Sequence, residues 1–358
     1  MEFGIQFFPD VGPQQRSAAD YFSDCLKLVE LCDRYGYTNV RTVEHYFHPY
    51  GGYSPNPIVF LSAASQRSKK ARMVTGAVLP VFNNPLKLAG EIGMLDAISG
   101  GRLDVGFARA FLPHEYKRFG VSMDESVARF EEGIEQVRKL LAEENVSSEG
   151  RFHSFKNVTS LPRPTQKPTP PLWTAAFATI ESFERAGKNG HFIMGIPLGG
   201  SRMKEMMQTY RKAWKAAGHP GNGKVMLAFH MYCADTDAEA VRIAREPLQR
   251  YLKSLVDAAS DFMSGTESKD YKGYDKMIAQ LDNETPEGMM EAGSAWIGSP
   301  ERLKKLIAEY DESTGGFESA SLQVNFNTIG YEDAARSMKV FGEKVIPYFM
   351  GKRAQAAE

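Results

Sequence analysis

Residues 73–108, MVTGAVLPVFNNPLKLAGEIGMLDAISGGRLDVGFA, contain a complete strand–helix–strand unit. The apolar run at 73–81 has the length of a buried strand and is closed by an Asn-Asn-Pro turn. Residues 86–98 follow as a helix that Gly100-Gly101 ends, and 103–108 is a second apolar strand. Two apolar strands joined by a helix are typical of parallel pairing, because parallel strands need a long crossover connection.

The same alternation extends over the 358 residues of the chain. Predicted strands lie at 3–8, 39–43, 73–81, 103–108, 172–176, 191–196, 225–233 and 321–326. The clearest helical periodicity lies at 18–35, 86–98, 123–141 and 179–188. The length alone would allow two average domains, but eight alternating units with mostly continuous apolar strands favour a closed barrel over an open sheet. The sequence therefore predicts an α/β fold, a single (β/α)8 TIM barrel over 1–358, with the Pro-rich stretch at 162–171 as a loop.

Composition excludes several classes of protein. Lys and Arg number 43 against 44 Asp and Glu, so the formal net charge is -1 and nothing points to nucleic acid or an anionic membrane as partner. Three cysteines are too few for a disulfide framework and favour a reducing compartment. No basic segment precedes the N-terminal apolar run, and no apolar run approaches the ~20 residues of a transmembrane helix. We therefore expect a cytoplasmic protein.

One segment interrupts the alternation. Residues 257–293 are polar, contain several glycines and show only weak periodicity, with a possible short helix around 277–281. A segment of this length inside a compact domain is usually a lid, a binding loop or disordered. Because barrel enzymes carry their chemistry at the C-terminal ends of the strands, a mobile lid inserted at 257–293 is one reading and plain disorder is the other.

Three polar residues follow predicted strands at the end where barrel enzymes place their functional groups. His45, after the second strand, could be a general acid or base, or a structural hydrogen-bonding residue. Arg109, after the fourth, could bind a phosphate or carboxylate, or pair with an acid in a loop. Thr179 opens the helix after the fifth strand, where it could help bind phosphate or serve as an ordinary N-cap.

Common cofactor and metal motifs are missing from the sequence. No GxGxxG follows a strand, and no P-loop, HExxH, GxSxG or CxxC pattern occurs. Among the 7 histidines only His45 and His48 have the close spacing of metal ligands, and His48 precedes a proline in a loop. The sequence predicts no metal site.

Several segments, in their order and spacing over nearly the whole chain, resemble the bacterial luciferase-like flavin monooxygenase family. They are FGIQFF (3–8), GYTNVRTVEHYFHPYGG (36–52), VLPVFNNPLKLAGEIGMLDAISGGRLDVGFARAF (78–111), PLWTAAFATIESFERAGKNG (171–190), WIGSPERL (296–303) and SMKVFGEKVIPYF (337–349). Ala108 and Tyr46 stand where the luminescent subunit has a cysteine and a second histidine, so the resemblance is to a non-luminous member.

The resemblance implies a barrel that binds reduced FMN, reacts it with O2 to a flavin C4a-(hydro)peroxide, and oxygenates a small hydrophobic or carbonyl-containing substrate. His45 falls on the family's catalytic histidine, Arg109 on the arginine that binds the FMN phosphate, and Thr179 on a phosphate-contacting position. A cis peptide between non-proline residues is expected near Thr75-Gly76. Further flavin contacts are expected from Thr75, Gly76, Ala176, Phe177 and Ala178. The substrate pocket is expected to draw on Phe7, Phe8, Tyr46, Phe107, Phe111 and Trp173, about half of which should touch ligand.

The resemblance also implies partners and leaves alternatives open. The chain has no reductase module, so reduced FMN is expected from a separate flavin reductase, and the family precedent is a homodimer. The stretch at 44–57 looks most like members acting in natural-product pathways. Two alternatives stand beside the FMN monooxygenase: a deazaflavin-dependent oxidoreductase of the same fold, and a catalytically silent flavin-binding subunit.

Overall fold

The computed structural model describes residues 1–177 and 179–357, the last six of these by their backbone alone. Its strands are β1 (Glu2–Phe7), β2 (Asn39–Thr42), β3 (Arg72–Val78), β4 (Leu103–Phe107), β5 (Val146–Glu149), β6 (Ser154–Val158), β7 (Leu172–Ala175), β8 (Phe192–Gly195), β9 (Val225–Cys233), β10 (Ala295–Gly298) and β11 (Ser319–Gln323). Its helices are α1 (Ala18–Glu30), α2 (Cys32–Tyr35), α3 (Pro57–Arg67), α4 (Pro85–Ile98), α5 (Pro113–Phe119), α6 (Ser126–Ala142), α7 (Ile180–Lys188), α8 (Gly200–Ala216), α9 (Asp237–Ala258), α10 (Tyr274–Asp282), α11 (Pro286–Glu291), α12 (Pro300–Thr314), α13 (Tyr331–Lys344) and α14 (Ile346–Ala357).

Eight parallel strands close into a barrel. The order runs from β11 through β1, β2, β3, β4, β7 and β8 to β9, and β9 pairs back onto β11. Each pairing is parallel, as in Ile5 opposite Val40 between β1 and β2. The prediction of an α/β (β/α)8 barrel is confirmed.

Some elements differ from the sequence-based expectation. The predicted helix at 18–35 is divided at Leu31 into α1 and α2, and Gly36 ends it in the left-handed conformation. The strand expected at 321–326 is β11, which starts two residues earlier. Strand β10, which pairs with the C-terminal half of β9, and the antiparallel hairpin of β5 and β6 were not predicted. The hairpin is mostly exposed and so has no apolar run, and the apolar run of β10 is interrupted by Gly298.

Proline after a capping side chain fixes the start of several helices. Asn84 accepts a hydrogen bond from the Leu86 amide, and Pro85 occupies the first helical position of α4. The same combination begins α3, α11 and α12. The starts of α3, α4 and α12 end the loops that follow β2, β3 and β10, and so they limit where the residues of those loops can lie.

Side chains alternate between the two faces of each barrel strand and so contribute to two separate apolar cores. Phe3, Ile5 and Phe7 on β1 belong to the large core between barrel and helices, where Phe7 contacts Phe60 of α3 with ring centroids 5.4 Å apart. A second apolar cluster, called here the inner apolar layer, consists of Val74, Trp173, Met194 and Met226 on four different strands. The period of two then directs residues such as Gln6 towards the barrel axis.

Residues 257–293 fold as short helical pieces. Two 3-10 turns, Ser260–Phe262 and Lys269–Tyr271, precede α10 and α11. Tyr271, Tyr274 and Ile278 are buried, and so these pieces are attached to the barrel through apolar contacts. The organisation of 1–358 as one domain with a mobile lid at this segment stays a prediction.

Candidate functional site

A cavity of about 360 Å³ lies at the C-terminal ends of the barrel strands, within the usual size range of ligand sites. Residues after β2, β3, β4, β7 and β8 line it, and α9, α10 and α11 contribute Tyr251, Leu255, Tyr274 and Met289. Of the residues predicted for the site, the structure brings together in this cavity His45, Gly76, Arg109, Ala176, Phe177, Thr179, Phe8 and Phe111.

His45 is held by a buried carboxylate. Its Nδ1 donates to Glu115 Oε1 at 3.0 Å, and the same oxygen accepts the Tyr46 amide at 2.8 Å. Glu115 is 0% exposed and belongs to α5, so a rigid element fixes it. Within the described residues the Nε2 atom of His45 has no hydrogen-bond partner, and the ring lies against Phe8, Tyr50 and Phe111. This arrangement leaves one ring nitrogen of His45 available for proton transfer in the cavity.

Glu44 beside it is a second buried carboxyl group. It accepts hydrogen bonds from the Leu79 amide, the Asn83 side-chain amide and the Tyr46 hydroxyl. Burial raises the pKa of Glu44 from 4.5 to about 7, against the lowering effect of these hydrogen bonds. Its contacts connect the segment after β2 with the turn after β3, which positions both walls of the cavity.

The raised pKa of Glu44 predicts a pH dependence of stability. Because folded Glu44 binds its proton more tightly than the unfolded chain does, the free energy of unfolding should fall as the pH rises from about 4.5 to about 7. Glu44→Gln should flatten that part of the profile, measured by urea unfolding at several pH values. Asp10, whose pKa burial also raises to about 7, remains in both proteins, so it cancels in the difference. Parallel profiles for the two proteins would contradict the prediction.

The cis peptide bond lies one residue later than predicted, between Gly76 and Ala77 rather than between Thr75 and Gly76. Gly76 and Ala77 both line the cavity, whereas Thr75 does not. The Thr75 hydroxyl donates to the Gly106 carbonyl and accepts from the Gly106 amide, which links β3 to β4. Thr75 is therefore a residue of the barrel wall in this structure.

Arg109 lies where an anion could be bound. Its Nη1 donates to the Asp270 carbonyl oxygen at 2.8 Å, and its guanidinium carbon lies 4.3 Å from the centroid of the Tyr271 ring. The described residues place no carboxylate in an ion pair with it, so the alternative of a salt bridge to a loop acid is not what the structure contains. Arg185 of α7 lines the same cavity.

The start of α7 lies in the same part of the cavity. Thr179 is the N-cap residue, but its hydroxyl donates to Ser182 Oγ at 2.7 Å and makes no side-chain cap. The first-turn amides of the helix therefore lack the usual side-chain acceptor, and an anion could accept hydrogen bonds from them. Ala178, also expected at this site, lies outside the described residues.

Four expected pocket aromatics do not line the cavity. Phe7 and Phe107 are in the core between barrel and helices, because at their positions on β1 and β4 the side chain points away from the barrel interior. Trp173 belongs to the inner apolar layer. Tyr46 packs against Phe47, Phe82 and Phe119 beside the site.

Polar residues that the sequence reading missed form what we call the inner polar cluster: Gln6, Arg41, Gln323 and His230. All four line the cavity and are at most 8% exposed. Arg41 donates to Gln6 Oε1, and Gln323 donates to the Phe8 carbonyl. The sequence signal that could have identified these four residues is a polar side chain within a strand that is otherwise apolar. For Glu115, 70 positions from His45, no local pattern existed.

Two further observations concern metals and membranes. Over residues 1–177 and 179–357, no three His, Cys, Asp or Glu side chains are grouped so that they could hold a metal ion. In the same part of the chain, no helix combines the length and the apolar character needed to span a membrane.

The chain is similar in sequence and in fold to several known proteins. The family model described as luciferase-like monooxygenase matches residues 1–316. The oxygenase component of the flavin-dependent trigonelline monooxygenase of Acinetobacter baylyi is 32% identical over 250 residues, 69% of each chain. The crystal structure of monooxygenase RslO1 from Streptomyces bottropensis has a TM-score of 0.87 and 41% identity, covering 98% of this chain and 100% of that one.

A third relative shows the shared fold. The oxygenating constituent of the 3,6-diketocamphane monooxygenase of Pseudomonas putida, a type II Baeyer–Villiger monooxygenase in complex with FMN, has a TM-score of 0.81 at 23% identity. The match covers 97% of this chain and 98% of that chain.

Proposed function

Because this chain belongs to the luciferase-like monooxygenase family, a family of flavin-dependent oxidoreductases, we propose that it is an oxygenase component that uses reduced FMN and O2. The reduced FMN would come from a separate flavin reductase, as the name of the trigonelline relative suggests. The observation that carries the proposal is that one cavity is lined both by Arg109 and the start of α7 and by His45, whose ring is held by buried Glu115.

The residues of the cavity suit FMN. Arg109, Arg185 and the first turn of α7 would hold the phosphate through charge and amide hydrogen bonds. Small side chains at Gly76, Ala77, Ala108, Ala175 and Ala176 leave room for a flat ring against the backbone. When bound, reduced FMN supplies the electrons with which O2 is activated.

The chain's own residues would control protons and water around the reaction. His45 Nε2 can give or take a proton in the cavity, while Glu115 fixes the orientation of the ring through Nδ1. Phe111, Phe177 and Tyr274, whose rings lie 5.8 to 6.5 Å apart, form an apolar wall that excludes water. Such a wall also favours a small hydrophobic or carbonyl-containing substrate. A role in natural-product biosynthesis and a homodimeric state stay predictions.

Anaerobic titration followed by an oxygen-labelling experiment tests the proposal. The protein should bind reduced FMN, and candidate substrates incubated with it under ¹⁸O2 should gain one labelled oxygen atom by mass spectrometry. Tight binding of reduced deazaflavin without binding of FMN would instead support the deazaflavin-dependent alternative. Binding of FMN with no product from any candidate, and with equal O2 consumption by wild type and His45→Ala, would support the silent subunit.

The 257–293 segment gives a separate prediction. Arg109 contacts Asp270 and Tyr271 of this segment, so a ligand bound to Arg109 should reduce the mobility of the segment. Trypsin cleavage after the exposed residues Lys269, Lys272 and Lys276 should become slower when FMN is bound, as followed by mass spectrometry of the fragments. Cleavage after exposed Lys305 serves as the internal control and should not change. Equal rates at all sites with and without FMN would argue against a lid.

A further inference from the structure

Arg41 is a buried cation that the proposed chemistry has not used. It points inward from β2, is 8% exposed and lines the cavity. Its Nη1 donates to Gln6 Oε1 at 2.5 Å and its Nη2 donates to the Gly76 carbonyl at 2.9 Å. A guanidinium carries five N–H donors, so its remaining terminal donors stay available on the cavity side.

The surroundings of Arg41 are neutral. Gln6 is in turn hydrogen-bonded with Gln323 and Ser321, neither of which carries charge. Burial lowers the pKa of His230 to about 3, so this member of the inner polar cluster is also uncharged at neutral pH. Arg72, on the adjacent strand β3, differs from Arg41 in that it forms a salt bridge, with Asp104 at 2.7 Å.

Arg41 itself remains positively charged at neutral pH. Burial lowers its pKa only to about 10. In the described part of the chain Arg41 takes part in no ion pair. A buried charge without a partner is costly, which makes an anionic ligand the natural complement of this group.

We propose that Arg41, with Gln6 and Gln323, forms an anion subsite that binds a planar, delocalised anion inside the cavity. Guanidinium geometry suits a carboxylate, phenolate or enolate oxygen better than a neutral carbonyl. Two sources offer this chemistry: an ionised substrate, or the pyrimidine edge of anionic reduced FMN. The inference rests on the proposed function, because it assigns a ligand class to the same cavity.

The first arm of the test uses benzoate and its neutral analogue benzyl alcohol, titrated calorimetrically into the full-length protein without FMN. If the substrate is the source, wild type should bind benzoate at least 10-fold more tightly than benzyl alcohol, as expected for a charge-assisted contact. Arg41→Gln should abolish this preference and Arg41→Lys should retain it. Gln6→Glu should abolish it as well, because it gives Arg41 an internal carboxylate without removing its contact to Gly76. Arg336→Ala, which removes an exposed arginine that does not line the cavity, should leave the preference intact.

The second arm measures the midpoint potential of bound FMN. If the flavin is the source, Arg41→Gln and Gln6→Glu should weaken binding of reduced relative to oxidised FMN by at least 10-fold, about 30 mV for a two-electron couple. A preference for benzoate that is independent of Arg41, together with an unchanged potential in folded Arg41→Gln and Gln6→Glu, would overturn the subsite. Failure of wild type to bind FMN would overturn the proposed function alone, because the benzoate arm contains no flavin.

Discussion

Replacement of His45 by asparagine is expected to lower the rate of substrate oxygenation by about 10²- to 10⁴-fold, the usual contribution of a positioned acid or base. An asparagine amide can still donate to Glu115, which accepts from His45 at 3.0 Å, but it cannot carry a proton. The affinity for FMN should therefore stay near that of wild type. The measurement is single-turnover product formation from protein preloaded with reduced FMN.

Glu115→Gln separates the two halves of this pair. The glutamine keeps a hydrogen-bonding side chain beside His45 and the Tyr46 amide but removes the negative charge. We expect a smaller loss of rate than in His45→Asn, again with little change in FMN affinity. A His45→Asn protein that forms product at the wild-type rate would show that His45 is a structural residue and that proton transfer uses another group.

Replacement of Arg109 by alanine is expected to weaken FMN binding by about 1.5 to 3 kcal/mol, or roughly 10- to 150-fold, the range for a charge-assisted hydrogen bond. Riboflavin has the same ring system without the phosphate, so its affinity should hardly change. Quenching of flavin fluorescence measures both affinities.

Arg336→Ala is the matched control, because Arg336 is an exposed arginine of α13 that does not line the cavity. It should bind both flavins like wild type. Equal losses for FMN and riboflavin in Arg109→Ala would indicate that Arg109 supports the fold of the neighbouring 257–293 segment through Asp270 and does not bind the phosphate.

The architecture could be predicted from the sequence because most barrel strands are continuous apolar runs separated by periodic helices. The stretch at 73–108 contains β3, α4 and β4 within a few residues of their observed limits. Strand β10 was missed because its apolar run is interrupted by Gly298, although its residues 296–298 lie within a segment used for the family resemblance. The hairpin of β5 and β6 is mostly exposed and so carries no apolar pattern.

The candidate site was predictable in its polar residues and less so in its aromatic ones. His45, Arg109 and Thr179 follow strands directly, and all line one cavity. Phe7 and Phe107 were misplaced because a barrel strand is buried on both faces, so hydrophobicity alone does not tell inside from outside. The polar side chains of Gln6 on β1 and Arg41 on β2 mark the positions that face the barrel interior, and Gln6 would have corrected the assignment of its neighbour Phe7.

The inner apolar layer has a consequence for the order of events during turnover. The layer consists of Val74, Trp173, Met194 and Met226, four side chains from different strands that are each at most 4% exposed. We therefore expect ligands to reach the cavity from the side to which α10 and α11 contribute Tyr274, Leu281 and Met289. In the proposed reaction, product would then depart from the cavity before the next substrate arrives.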